Sequence, residues 1–182
     1  MQYRVAFSKK SKKHGKIHFY TRENYSQMKI WIDGDACPNA IKTILFRAAM
    51  RTQTHLVIVS NHVVSTPASP FIKRCVVHAG FDVADNQIAE NLQVNDLVIT
   101  ADIPLADIVI AKGGIALNPR GELYSTDNIK HVLAMRNLNE SLRSNGMISG
   151  GAGKLGPKEI MNFSNNLDKI ITKYKNKPSC QS

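Results

Sequence analysis

An α/β domain with a mainly parallel central sheet is predicted by three observations. Short β-favouring runs alternate with stretches of helical apolar spacing, the connections between them are brief, and the acids collect where the runs end. Strands in such a sheet are buried on both faces, which makes them short and apolar instead of alternating. Together with two C-terminal helices, the pattern describes a three-layer domain.

The first strand is expected at Lys29 to Ile32, followed by a helix that opens at Pro38, a residue suited to a first helical turn. Ile41, Ile44, Leu45, Ala48 and Ala49 give that helix its apolar face. His55 to Ser60 reads as the second strand, and residues 61–70, with two prolines and three Ser/Thr, as a loop. Cys75 to Val77 is the expected third strand, residues 82–93 a helix, and Leu97 to Thr100 the fourth strand. A helix from Ile103 to Lys112 is stopped by Gly113 and Gly114, and Ile115 to Leu117 closes the series. Beyond it, Thr126 to Arg143 predicts a longer helix with Thr126 or Asp127 near its start. Residues 146–156 hold five glycines, and Pro157 opens a last helix to about Lys175 with Ile160, Phe163, Leu167, Ile170 and Ile171 on one face.

At 182 residues the chain suits one domain with a core that needs no disulfides. Its net charge of +10 is confined to the ends: residues 1–27 carry +6 and the residues after Asp168 carry +4, leaving 28–168 neutral. The charge therefore says little about the ligand of the body. Residues 28–175 are expected to form the domain, residues 1–27 a basic leader that is disordered or marks a mis-assigned start, and 176–182 a flexible tail. The leader has no apolar region of the secretory kind. The three cysteines show no paired spacing, which fits a reducing cytoplasm, and no apolar run approaches the roughly 20 residues of a membrane span. Gly150 to Lys154 imitates a phosphate loop but has Ile148 where the motif needs its first glycine and Leu155 in place of the Ser/Thr that follows the lysine.

The acids carry the chemistry. Asp33 and Asp35 follow the first strand, Asp102 follows the fourth after one alanine, Asp82 and Asp85 open the intervening helix, and Asp107 lies beyond Asp102. In open α/β sheets ligands bind at the carboxyl ends of the strands. Several carboxylates sharing one cleft repel and need a cation or a raised pKa, and hard ions such as Mg²⁺ or Mn²⁺ take oxygen ligands of this kind. Such a site points to phosphate chemistry.

Four ordered motifs, Trp31 to Pro38, Gly80 to Asn86, Leu97 to Ala106 and Leu117 to Glu122, resemble the YaiI/YqxD family of bacterial proteins, over Met28 to about Lys173. That family is similar to PIN-like, or NYN-like, metal-dependent ribonuclease domains. The resemblance implies a PIN-like fold and a metal site of Asp33, Asp85 and Asp102, with Asp35 as a fourth catalytic acid and Asp82 and Asp107 in reserve. It leaves the substrate open; on a nuclease reading the expected reaction is phosphodiester hydrolysis, of RNA above all, with Thr100, Asn118 and Arg120 as phosphate contacts. Gly34 stands where the family has alanine, and the glycine-rich 149–156 departs from its proline-rich form.

Two other functions fit part of the pattern. A haloacid-dehalogenase-type phosphatase would use Asp33 as nucleophile and Asp35 as general acid, with Ser60, Asp102 and Asp107 in support, but the helix opening at Pro38 leaves no room for its hairpin. A noncatalytic PIN-like domain binding RNA or a protein would need no turnover. Deletion of residues 1–27 is expected to shift thermal unfolding by no more than a few degrees, and a larger loss would mean that the leader packs on the body.

Overall fold

A computed structural model describes residues 28–80, 82–147 and 153–175. The leader, residues 148–152 of the glycine-rich linker and the tail after Lys175 lie outside the described residues, and with them the expectations for those segments. Six strands form one sheet in the order β3-β2-β1-β4-β5-β6, where β1 is Ile30–Asp33, β2 Leu56–Ser60, β3 Ile72–Val76, β4 Leu97–Ile99, β5 Ile115–Leu117 and β6 Leu123–Tyr124. All neighbours are parallel except β5 and β6, which pair antiparallel. The sheet is therefore mixed but mainly parallel, as expected.

Among the described residues five helices cover it: α1 (Asn39–Thr52), α2 (Val83–Asn91), α3 (Ile103–Ala111), α4 (Ile129–Ser144) and α5 (Pro157–Lys175). Alternation along the strands assigns the two faces. Ile30, Ile32, Leu56, Ile58, Leu97 and Ile99 share a core with Ile41 and Leu45 of α1 and Phe163, Leu167 and Ile171 of α5. Trp31, Val59, Val98 and Ala116 point the other way, into a second core with Ile88 of α2, Leu105 and Val109 of α3 and Ile129 of α4.

The chain moves outward from β1 through β2 to β3, then returns to lay β4 against the free edge of β1. The reversal leaves a crevice at the carboxyl ends of β1 and β4, the place where such sheets bind ligands. Gly34, the first residue past β1, is buried there; a Cβ on it would lie 2.7 Å from Cγ2 of Ile58, so an alanine at this position needs that side chain to shift. At the opposite end Asp96 closes the sheet. Its carboxylate accepts from Lys29 N at 2.8 Å, from Trp31 Nε1 at 2.9 Å and from Gln93 N at 3.1 Å.

Several boundaries differ from the sequence reading. The third strand is Ile72–Val76 in place of Cys75 to Val77, because an edge strand tolerates the charges of Lys73 and Arg74 that mask its apolar pattern. The longer helix starts at Ile129, not Thr126: Ser125 N donates to Asn128 Oδ1 at 2.9 Å, which folds residues 125–128 into a turn before the helix. The two-residue β6 was not anticipated. It returns the chain after β5 through a turn in which Gly121 adopts φ +90°, and the turn presses on α5 so closely that a Cβ at Gly121 would sit 2.5 Å from Phe163 N.

Gly121→Ala therefore combines a left-handed backbone with a collision against α5 backbone. It is expected to cost about 1–3 kcal/mol, seen as a lower urea midpoint at an unchanged slope. A change below about 0.5 kcal/mol would mean that the turn does not dock on the helix as described.

Candidate functional site

The first two acids are held by the turn between β1 and α1. Asp33 is the last residue of β1, and its Oδ1 accepts from Asp35 N at 2.8 Å and Ala36 N at 3.2 Å, a local arrangement that aspartate favours. Cys37 N donates to the Asp33 carbonyl at 3.0 Å, completing the turn. Asp35 reaches across to the end of β2: Oδ2 accepts from Asn61 N at 2.7 Å and Oδ1 lies 2.7 Å from His62 Nδ1. Lys42, one turn into α1, donates to the Gly34 carbonyl at 2.8 Å and brings a cation beside these acids.

On the β4 side, Thr100 is buried and its Oγ1 accepts from Asp102 N at 2.9 Å. Asp102 is the N-cap of α3, with Oδ1 accepting from Leu105 N at 2.8 Å. Asp33 and Asp102 thus each satisfy a backbone turn with Oδ1. Among the described residues no donor is hydrogen-bonded to the second oxygen of either.

Asp85 joins the two. It lies in the first turn of α2, half-buried, and its carboxyl is pushed up to about 6, first by burial and then by the negative charges of Asp102, Asp33 and Asp82. The field at Asp85 therefore comes from acids on three separate segments. Asp82 contributes from a left-handed backbone at φ 57°, a conformation that aspartate tolerates better than most residues. Asp107 is half-buried on α3 and is not among the charges acting on Asp85. The convergence is loose, for among the described residues no group of three or more His, Cys, Asp or Glu is gathered closely enough to hold a metal ion.

Other candidates have structural partners. Asn118, level with Thr100 through the β4 and β5 register, accepts from Arg120 N and Glu122 N at 2.9 Å each and donates to Glu122 Oε2 at 2.8 Å. Its amide organises the turn between β5 and β6. Arg120 binds Glu159 and the Gly153 carbonyl, tying that turn to the start of α5. The Ser60 hydroxyl donates to the His62 carbonyl at 2.7 Å. Burial pushes the Cys37 thiol up to about 12, against Lys42, leaving it protonated and unreactive.

Three neighbours of the cluster escape a sequence reading: Lys42, His62 and Tyr124. Helical phase from Pro38 could have placed Lys42 beside the acidic turn, and His62 follows the second strand by two residues. Tyr124 had no signal, since it depends on the short antiparallel β6. Burial raises its phenol, the Asn118 side chain facing it pulls the other way, and the charges of Glu122 and Asp102 raise it further.

Fold and site define an α/β domain with carboxylates assembled at the switch point of a mainly parallel sheet. Residues 31–173 match the model of the uncharacterised BCR, YaiI/YqxD family. A UPF0178 protein of Maridesulfovibrio salexigens is 55% identical over 150 residues, covering 82% of this chain and 99% of its own. UPF0178 proteins of Shewanella sediminis and of Marinomonas sp. (strain MWYL1) are each 54% identical, covering 81% and 79% of this chain and 98% and 97% of their own. No solved structure matches. The chain belongs to the YaiI/YqxD family.

A carboxyl raised from 3.8 to about 6 makes the folded protein bind more protons than the unfolded chain between those values. The contribution of Asp85 to stability is then fully present below about pH 4 and lost as pH rises through about 6. Asp85→Asn is expected to stabilise the protein at pH 7 by about 1 kcal/mol, after discounting for the solvent that screens a half-buried group. It should also flatten the pH dependence of unfolding between pH 4 and 6. Destabilisation at pH 7 with an unchanged profile would contradict the electrostatic account.

Proposed function

We propose that this chain is a metal-dependent phosphodiester hydrolase of PIN-like type that acts on RNA. The observation that carries the reading is the raised carboxyl of Asp85, whose field arises from Asp102, Asp33 and Asp82 at the crevice between β1 and β4. A half-buried acid raised by the charges of acids on other segments is unfavourable as a purely structural device and suits a cation. The donor set fits a hard divalent ion, because every candidate ligand is a carboxylate oxygen.

Asp33, Asp85 and Asp102 are the residues that would hold Mg²⁺ or Mn²⁺. When bound, such an ion offsets charge on a scissile phosphate and eases deprotonation of the attacking water. The chain's own groups supply the rest. Thr100 fixes the backbone of Asp102, and the turn hydrogen bonds of Asp33 and Asp102 each leave one oxygen for the site. Asp35, anchored by Asn61 N and His62, orients water, while His62 Nδ1 can hold a proton against it. Lys42 and Thr100 supply an ammonium group and a hydroxyl for a phosphate oxygen, and Asn118 and Arg120 act by shaping the adjoining turn. A phosphatase of the haloacid-dehalogenase type is less well supported: α1 opens at Asn39, four residues after Asp35, and Asp35 and Ser60 are both engaged.

Asp102→Asn isolates the metal function, since an amide oxygen caps α3 as well as a carboxylate does. With contaminating nuclease excluded, the parent should cleave single-stranded RNA with Mn²⁺ and not with EDTA, and the variant should lose at least about a hundredfold, a transition-state loss of about 2.7 kcal/mol. A hundredfold excess of Mn²⁺ over its dissociation constant should raise the parent's stability by about 2.7 kcal/mol and the variant's far less. Equal cleavage by both proteins would reject the assignment, and RNA that is bound but stays intact with Mn²⁺ would favour a noncatalytic domain.

A further inference from the structure

The neutrality of residues 28–168 conceals a polarised surface. Five of the body's thirteen acids, Asp33, Asp35, Asp82, Asp85 and Asp102, lie at the carboxyl end of the sheet with one cation, Lys42, which leaves twelve Lys and Arg against eight acids for the rest of the body. Part of that excess, joined by Lys169 just beyond the body, borders a polar groove of about 600 Å³ between the turn from β5 to β6 and one side of α5. Lys158, Asn162, Asn165 and Lys169 line it at intervals of four, three and four residues, which is a single straight stripe on a helix. Eleven residues separate the two lysines, about 16 Å along the axis, which spans several phosphates even at the roughly 3.4 Å axial spacing of a stacked strand.

The groove is built from both sides. Asn166 donates to the Gly121 carbonyl at 2.7 Å and Arg120 pairs with Glu159, so the turn and the helix hold a fixed separation. The four stripe side chains, by contrast, are exposed and have no hydrogen bond or ion pair with other described residues. Two ammonium groups flanking two amides, whose NH₂ groups donate and whose carbonyls can accept from hydroxyls, complement a chain of anionic and hydroxyl oxygens and offer little to an apolar partner. The wall of the groove is also the turn that begins at Asn118, beside Thr100 at the acidic crevice.

We infer that this α5 groove binds the phosphodiester backbone of a single-stranded nucleic acid and leads it toward the acidic crevice. The inference rests on the proposed nuclease reading for the direction of the strand, and its binding step is separable from cleavage. Lysines fix the phosphates, and the Asn162 and Asn165 amides hydrogen-bond sugar or phosphate oxygens, which gives contact without base readout.

The test measures binding of fluorescent 12-nucleotide U and dT oligomers to the full chain in EDTA, where cleavage cannot contribute. Lys158→Glu/Lys169→Glu should weaken binding at least tenfold and reduce the logarithmic salt slope by about 1.4, the value for two lost contacts to a single strand. Reversing Lys9 and Lys10 of the basic leader serves as the control and should have a smaller effect. Lys158→Ala/Lys169→Ala provides the same comparison if the charge reversal impairs folding, and Asn162→Ala/Asn165→Ala should weaken binding with the salt slope unchanged. The relative affinity of U and dT oligomers identifies the preferred strand chemistry. If the stripe variants bind as the parent does, or lose no more than the leader control, the groove is a solvated helix face and the inference fails. Stripe-dependent binding without cleavage would uphold the groove while rejecting the nuclease, and cleavage insensitive to the stripe would do the reverse.

Discussion

Everything in this fold is arranged around β1, a four-residue strand bonded along both edges and covered on both faces. Its hydrogen-bonding groups are taken by β2 and β4, and its side chains by the two helix layers. A polar residue is then tolerated only at its ends, where the strand meets solvent or a compensating network. Asp33 stands at one end. Asp96, brought in from the loop before β4, closes the other by accepting from the backbone of Lys29 and the indole of Trp31. Burial raises the Asp96 carboxyl while these hydrogen bonds pull it down. The two acids illustrate different uses of one chemistry: Asp96 is consumed by the sheet, whereas Asp33 keeps an oxygen for the crevice.

The same division explains how several acids coexist at the carboxyl edge. Asp33 and Asp102 each offset part of their repulsion by bonding to the backbone of their own turn, and Asp35 by pairing with His62. Asp85 has no such partner among the described residues and carries the electrostatic cost, visible in its raised carboxyl. Local turns therefore keep the acids near one another in the absence of a cation without gathering them into a finished cage. Binding a cation would exchange mutual repulsion for attraction, and coupling of that kind makes stability and ligand affinity depend on the same residues.

Strong local patterns carried most of the fold. The apolar spacing of α1 and α5, the glycine stop after α3 and the acids at strand ends follow from helical period and turn chemistry, and each is found near its expected place. What escaped was set by long-range contact. Lys73 and Arg74 obscure β3 because only its edge position makes their charges acceptable, and β6 is too short to leave a period at all. The same limit applies to the site. Residue type could nominate Asn118 and Arg120 as phosphate contacts, but the partners that occupy them, Glu122 and Glu159, lie on elements whose docking no local pattern encodes. Conversely, a net charge summed over the body could not disclose that opposite signs collect on different surfaces.

The most direct measurement of the central claim is the titration of the Asp85 carboxyl followed by carbon-13 NMR, with and without Mg²⁺. Convergence of the acids predicts a midpoint near 6 without the ion, a lower midpoint in Asp102→Asn, and a marked fall when Mg²⁺ is added to the parent. A carboxyl that titrates in the ordinary aspartate range and responds to neither change would contradict the account, and the acids would then be turn and cap residues only.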